Sequence, residues 1–174
     1  MDYLKQFVIP YSGLALGNHQ FEFILGDKFF ESIEYSEIKH GQLLAVINLE
    51  KQERMLVFDF DINGIVRVEC DRCLDDLEIE VSDTERLIVK FGEEHIEESE
   101  DVVTVPHSDY QFDISHYLYE YISLSLPYQR IHPDDDEGNS NCDPEILEKL
   151  RNMLPEQLSD PIWDKLKDIN PEEN

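Results

Sequence analysis

Alternation of apolar and polar residues over positions 55–91 is the feature that most constrains how this chain can fold. Apolar side chains stand at every second position from Leu56 to Ile62, and Asp59 and Asp61 lie among the residues between them. A period of two places such side chains on one face of a β-strand. The sequence therefore predicts a sheet that buries one face and leaves the other in water.

A hairpin is predicted directly after this segment, at Asn63-Gly64. This dipeptide supplies the positive φ angles that a tight two-residue turn requires. The return strand would cover residues 65–70, which puts Cys70 and Cys73 at the next turn of an antiparallel meander. Similar patterns predict further strands over residues 20–25, 43–49, 77–81 and 86–91.

Helices are predicted where apolar residues recur at helical spacing. Asp113 is a good N-cap for a central helix that ends before Pro127. Its apolar stripe consists of Ile114, Tyr117, Leu118, Tyr121 and Ile122. Further N-cap signals predict short helices after Asp27, Asp143-Pro144 and Asp160-Pro161. The predicted fold class is α+β, with an antiparallel β-meander or partly open barrel, a packed central helix and short C-terminal helices.

A single domain over residues 1–174 is the expected organisation, because one core typically spans about 100 to 200 residues. Two acidic stretches interrupt the pattern, near residues 93–101 and 132–144, and both are predicted to be solvated loops. A C-terminal helical tail follows over residues 144–170. The core is therefore expected to come from the strands and the central helix.

The charge balance decides which partners suit the chain. Its 40 acidic residues outnumber 14 lysines and arginines, which gives a formal net charge of -26. Proteins bind nucleic acid through Lys and Arg side chains that displace counterions from phosphates, so little direct affinity for RNA or DNA is expected. An acidic surface also repels anionic membranes and attracts basic proteins, although the same charge can serve solubility alone.

The cytoplasm is the predicted location. The sequence opens with Met1-Asp2-Tyr3 and lacks the basic start and apolar core of a secretory signal. No apolar run approaches the roughly 20 residues needed to span a bilayer. Three cysteines, an odd number, fit a reducing compartment better than a disulfide framework.

The segment Cys-Asp-Arg-Cys, with Cys70 and Cys73 at its ends, carries the clearest chemistry in the sequence. Zinc takes four sulfur or nitrogen ligands, and two cysteines at a tight turn can direct both thiolates at one ion. Cys142 and His132, in the second acidic stretch, are the candidates for the other two positions. The predicted metal ligands are therefore these four residues, with zinc in a structural role.

Two other interpretations of the cysteines stay open. They could be small buried apolar residues at a strand end, because free cysteines are often buried. They could also be a redox pair, but a reactive thiol usually lies beside cations or a helix N-terminus. Asp71, Asp75 and Asp76 surround this pair instead, and such carboxylates favour a divalent cation.

No motif for catalysis is present. The sequence has no phosphate-binding loop, no dinucleotide-binding glycine cluster and no nucleophile elbow. The run from Asp134 to Gly138 has the composition of a calcium loop, but an EF-hand register would put Pro133 and Pro144 at ligand positions. The chain is therefore predicted not to be an enzyme.

Three stretches, in this order, carry a family resemblance. They are Gly64 with Val-Glu-Cys-Asp-Arg-Cys-Leu ending at Leu74, Asp113-Ile114 through Glu120 to Leu-Ser-Leu-Pro ending at Pro127, and Asp160-Pro161-Ile162-Trp163 with Leu166. Together they resemble the YceD family, named for large ribosomal RNA subunit accumulation protein, over about residues 41 to 169. The resemblance implies that Cys142 matches a later family cysteine and that His132 stands near an expected fourth ligand.

The function that the resemblance implies is that of a ribosome biogenesis factor. Such a factor supports accumulation or maturation of large-subunit ribosomal RNA without a catalytic activity. Together with the acidic surface, this predicts contacts with a basic ribosomal protein, an assembly factor or the large-subunit precursor particle. Three alternatives come from other classes: a zinc-binding structural adaptor unrelated to ribosomes, a thiol-redox protein, and a nucleic-acid mimic whose carboxylates imitate phosphates.

Overall fold

The computed structural model describes residues 3–153 and has the predicted α+β class. Its strands in chain order are β1 (Val8–Ile9), β2 (Gly17–Leu25), β3 (His40–Lys51), β4 (Met55–Glu69), β5 (Asp76–Gly92), β6 (Ile96–Ser99), β7 (Val102–Pro106) and β8 (Phe112–Asp113). Its helical segments are a 3-10 helix (Tyr3–Phe7), α1 (Asp27–Glu31), α2 (Ser115–Ser125) and α3 (Pro144–Met153). One compact unit ends at Ile131 and a second begins at His132.

Six strands form one open sheet in the order β2-β3-β4-β5-β7-β6, and β1 pairs with β8 in a separate two-stranded ribbon. Strands β2 to β5 pair antiparallel in chain order, as a meander. Beyond them, β7 joins β5 in parallel and β6 pairs antiparallel with β7. The predicted meander is confirmed, and the sheet stays open rather than closing into a barrel.

The predicted hairpin at Asn63-Gly64 is wrong, because β4 runs straight through this dipeptide. Gly64 stands opposite Leu43 of β3 and Val81 of β5. The glycine is needed for space, since a Cβ atom at this position would lie 2.3 Å from the backbone oxygen of Gln42. A glycine inside a strand often marks such a close approach of two backbones rather than a turn.

The chain reverses at the cysteines instead. Residues 70–75 join β4 to β5, so Cys70 and Cys73 lie in the turn between the two longest strands of the sheet. The buried residues of β4 from Leu56 to Val68 all stand at even-numbered positions, as they must in one continuous strand. The prediction that the cysteine pair lies at a sheet-end turn is therefore confirmed.

Aromatic side chains from the helical segments pack in the core beneath the sheet. Phe7 contacts Phe29 with ring centroids 4.9 Å apart, and Phe60 of β4 contacts Tyr121 of α2 at 5.1 Å. Burial raises the pKa of the Tyr121 hydroxyl well above its usual value, and the nearby charge of Glu85 adds to the rise. Tyr121 is therefore a neutral core side chain rather than an acid or base.

The central helix α2 begins at Ser115, and its N-cap residue is Ile114 rather than the predicted Asp113. The carboxylate of Asp113 accepts a hydrogen bond from the N–H of Ser115 at 2.8 Å. The short helix predicted after Asp27 is present as α1, but Asp27 is its first residue rather than its N-cap. The Asp27 carboxylate accepts a hydrogen bond from the N–H of Gly41 at 3.1 Å, so it ties α1 to the start of β3.

The two acidic stretches differ in structure. Residues 93–101, predicted as a loop, contain the strand β6, all four residues of which are exposed. Glu98 in this strand accepts hydrogen bonds from Lys90 and from the hydroxyl of Thr104, both at 2.7 Å, and these contacts join the acidic segment to β5 and β7. Residues 132–143 form an irregular loop with one isolated β-bridge.

Helix α3 begins at Pro144, as the sequence predicts. The helix predicted after Asp160-Pro161, and the part of the tail beyond residue 153, lie outside the described residues. Within the described range, no helix has the length and apolar character that a membrane crossing requires.

Candidate metal centre

The turn that carries Cys70 and Cys73 is closed by backbone hydrogen bonds. The N–H of Cys70 donates to the carbonyl of Asp75 at 2.8 Å, and the N–H of Leu74 donates to the carbonyl of Cys70 at 2.9 Å. Leu74 has a φ of 61°, a left-handed conformation that costs a non-glycine residue roughly 1–2 kcal/mol. Its side chain is 72% exposed, whereas both cysteines are buried. The closed turn thus keeps both thiols away from solvent.

Asp71, between the two cysteines, fastens this turn to Arg130. Its N–H donates to the carbonyl of Arg130 at 2.7 Å, and the N–H of Arg130 donates to an Asp71 carboxylate oxygen, also at 2.7 Å. The Arg130 guanidinium donates to the same carboxylate at 3.4 Å and to Glu37 at 3.1 Å. This set of bonds, the Asp71–Arg130 clamp, holds the chain beside the cysteine turn two residues before His132.

The loop of residues 132–142 brings its own two ends together. The side-chain amide of Asn141 donates to the carbonyl of Pro133 at 2.8 Å, and an isolated β-bridge lies further inside the loop. At the ends, Sγ of Cys142 lies 3.8 Å from Nδ1 of His132. Cys142 is buried and His132 is half-buried, so both are largely shielded from water.

The structure brings all four predicted ligands into one cluster. Single ligand atoms of Cys70, Cys73, His132 and Cys142 lie within 4.8 Å of one another. Among residues 3–153 no other group of three or more His, Cys, Asp or Glu side chains has this character. We refer to these four residues as the Cys3His cluster.

The donor set of the Cys3His cluster fits zinc. Three thiolates and an imidazole are a common ligand set of structural zinc sites. Zn–S bonds of about 2.3 Å and Zn–N bonds of about 2.1 Å place tetrahedral sulfur and nitrogen ligands about 3.6 Å apart. The 3.8 Å between Sγ of Cys142 and Nδ1 of His132 is close to that spacing. The zinc ion itself stays a prediction.

The acidic residues of the 132–142 loop stabilise the loop itself. The Asp135 carboxylate accepts hydrogen bonds from the N–H groups of Asn139 and Glu137 at 2.7 and 3.0 Å. These bonds, of which that from Asn139 counts most, lower the pKa of Asp135. This is the pattern of an Asx turn, in which a carboxylate satisfies the backbone that follows it.

Asp71 and Arg130 are the positioning residues that sequence reasoning misses. The sequence presents Asp71 only as a local negative charge beside the cysteines. No periodic pattern links it to Arg130, which lies 59 residues further along the chain. The one available signal is the place of Asp71 between the two cysteines, where a side chain can orient the ligands on either side.

Replacing Asp71 with alanine is expected to weaken zinc binding by about 10- to 100-fold, although all four ligands remain. The variant loses the acceptor of the Arg130 N–H and of its guanidinium, so the chain before His132 is held less firmly. Competition with a chromophoric zinc chelator measures the change. Asp75→Ala is the matched control, since it removes the same charge from the same turn. An equal loss in both variants would assign the effect to charge rather than to the clamp.

Comparison with known families gives one match. The model of a family described as large ribosomal RNA subunit accumulation protein YceD matches residues 58–170, well over half of the chain. This range contains all four residues of the Cys3His cluster, the Asp71–Arg130 clamp and the central helix. No curated protein and no solved structure matches the chain.

Proposed function

This chain belongs to the YceD family, and we propose that it is a ribosome biogenesis factor that supports accumulation or maturation of large-subunit ribosomal RNA. The family match over residues 58–170 carries the proposal, because it spans the cysteine turn, the central helix and the loop that holds Cys142. At the level of the family, the name implies accumulation of this RNA. The family name does not describe how the protein acts, and the mode of action given below is our proposal for this chain.

Zinc in this proposal has a structural role. Structural zinc sites are closed by four protein ligands, whereas catalytic sites keep a position for water or substrate. Four protein donors, three of them buried cysteines, support the closed type. Cys70, Cys73, His132 and Cys142 would hold the ion, and the ion would supply a cross-link between distant parts of the sequence. We therefore propose a protein without catalytic activity.

Contact with the precursor of the large subunit would be made through protein. With 40 acidic and 14 basic residues, the chain has few cations with which to neutralise phosphates. A negative surface complements basic ribosomal proteins and assembly factors, and it accelerates encounter with them at low salt. The proposed location is the cytoplasm, where reducing conditions keep cysteines available to zinc.

Depletion of the protein in its own cells tests the proposal. We expect the ratio of large- to small-subunit ribosomal RNA to fall, and tagged protein to cosediment with large-subunit precursors in sucrose gradients. The association should weaken as salt rises, because exposed charges are screened beyond about 10 Å at 0.1 M ionic strength. An unchanged RNA ratio together with no cosedimentation at low salt would contradict the proposal.

The structural-adaptor alternative makes a different prediction about partners. Affinity purification after nuclease treatment removes proteins that are held only through RNA. Recovery of ribosomal proteins or assembly factors supports the proposed function. Recovery of a single stoichiometric partner unconnected with ribosomes would favour the adaptor.

A further inference from the structure

On strands β2, β3 and β4, the solvent face of the sheet carries Ile24, Leu44 and Ile65, which we call the outer patch. Their exposed fractions are 73%, 44% and 43%. Ile24 of β2 stands directly opposite Leu44 of β3, and Ile65 of β4 lies two residues beyond Asn63, the partner of Leu44. Opposite residues on one face have Cβ atoms about 5 Å apart, and diagonal neighbours about 7 Å. The three side chains therefore form one continuous patch.

The outer patch departs from the alternation that shapes the rest of the sheet. Strands with one buried face normally present polar side chains to water, as Gln42, Asn48 and Glu50 do on β3. Scattered exposed aliphatic residues are ordinary, but a contiguous group with a polar rim marks an interaction site. The outer patch thus has the character of a binding surface.

A cavity of about 570 Å³ adjoins the outer patch, and Ile24 and Ile65 form part of its wall. Asp27 and Arg67 also line it. A hydrogen bond from the N–H of Gly41, with a smaller effect of the neighbouring histidine, lowers the pKa of Asp27, so its carboxylate stays ionised at neutral pH. The cavity therefore has apolar walls beside charged groups that are already paired with each other, Asp27 with His40 and Arg67 with Glu78.

Carboxylates surround the outer patch. Glu22 lies two residues before Ile24 on the same face, Asp61 lies across β3 from Glu22, and Glu80 stands directly opposite Ile65. Within residues 3–153 none of these three carboxylates takes part in an ion pair. The arginines of this face are each paired with another carboxylate. Lys28 lines a groove with Ile24 and Glu22, but this single lysine is outnumbered by Glu22, Asp61 and Glu80, so the surplus charge around the patch is negative.

We infer that the outer patch docks a basic, amphipathic segment of a ribosomal protein. Aliphatic side chains of the segment would lie on Ile24, Leu44 and Ile65, where burial of apolar surface supplies affinity. Its lysines or arginines would face Glu22 and Glu80, which select the sign of the partner's charge. RNA is the disfavoured occupant because these carboxylates repel phosphates. The inference rests on the proposed function for the source of the segment, but not for its chemistry.

Methyl NMR with a defined probe tests the chemistry. The probe is a short synthetic peptide that alternates lysine with leucine, and the control peptide alternates lysine with serine. We expect the lysine–leucine peptide to shift the methyl signals of Ile24, Leu44 and Ile65, and to bind at least about tenfold more tightly than the control peptide. Equal affinity for both peptides, or shifts confined to other methyl groups, would overturn the inference.

Matched substitutions test the place of binding. Ile65→Thr removes apolar surface from the outer patch while keeping a β-branched residue in the strand. Ile96→Thr makes the same change on the edge strand β6, at a side chain that is 51% exposed. We expect about tenfold weaker binding of the lysine–leucine peptide to Ile65→Thr, and unchanged binding to Ile96→Thr. An equal loss in both proteins would overturn the inference.

Cosedimentation with purified large-subunit precursors separates this inference from the proposed function. If the wild-type protein binds the particles and Leu44→Thr with Ile65→Thr loses at least about tenfold in affinity, the inference is supported. If both bind equally, the inference is wrong and the proposed function stands. If neither binds, the proposed function fails, and the peptide titration still decides the chemistry of the surface. Shifts of the patch methyls by a single-stranded RNA, or by raising the protein concentration alone, would assign the surface to RNA or to a second copy and overturn the inference.

Discussion

The Cys73→Ser variant is expected to lose bound zinc and to unfold with a free energy about 3–5 kcal/mol lower than that of the wild type, since loss of a structural metal is among the most destabilising single changes. A serine hydroxyl is a poor zinc ligand, and the free energy of metal binding is also free energy of folding when the site exists only in the folded chain. The cluster joins residues at positions 70–73 to residues at 132 and 142, so loss of zinc releases a long loop. Elemental analysis of anaerobically purified protein and urea denaturation measure the two effects.

Chelator treatment supplies the control for this variant. Removal of zinc from the wild-type protein should lower its stability to that of Cys73→Ser, and the same treatment should leave the variant unchanged. If the purified protein held no zinc and the variant lost little stability, the three cysteines would be small buried side chains at a strand end and in a loop. That result would contradict the prediction that the Cys3His cluster binds zinc.

Gly64→Ala is expected to lower the free energy of unfolding by about 2–5 kcal/mol, through overpacking and backbone strain together. The new Cβ atom would lie 2.3 Å from the backbone oxygen of Gln42 and 2.5 Å from Cα of Leu43, so β3 and β4 would have to move apart. Overpacking of this kind costs typically about 1–3 kcal/mol. The φ angle of 156° adds backbone strain of similar size for any residue with a side chain. Urea denaturation followed by circular dichroism measures the loss.

Gly26→Ala is the matched control for this substitution. Its new Cβ atom would have its nearest neighbour, the backbone oxygen of Gly41, at 4.0 Å, and the residue has a φ of −108°. We expect its stability to stay within about 0.5 kcal/mol of the wild type. Similar losses at Gly26 and Gly64 would mean that glycine flexibility, rather than close approach of two strands, decides the effect.

The α+β class and the meander could be predicted because alternation of apolar residues survives in each strand. The dipeptide Asn63-Gly64 does not by itself distinguish a hairpin from a continuous strand, since it suits both a tight turn and a close approach of two backbones. A two-residue hairpin would shift the buried residues from even to odd positions, whereas they stay at even positions from Leu56 to Val68. For this chain, the alternation of apolar residues across the whole segment is therefore a more reliable signal than the Asn-Gly dipeptide.

The cluster of Cys70, Cys73, His132 and Cys142 could be predicted from ligand chemistry and from the family resemblance. The residues that position these ligands could not be predicted. Hydrogen bonds such as those of Asp71 with Arg130 depend on tertiary structure and produce no periodic pattern in the sequence. The outer patch has the same limitation. Ile24, Leu44 and Ile65 belong to three strands, and only the register of the sheet makes them neighbours.

Strand β6 gives the acidity of residues 93–101 a second consequence. An edge strand presents unpaired N–H and C=O groups that can template the addition of another chain. β6 is short, its residues are exposed, and Glu97 and Glu98 lie within it. A second molecule that approached this edge with its own β6 would bring like charges together before backbone pairing could form. The carboxylates of this segment thus disfavour aggregation through the β6 edge of the sheet.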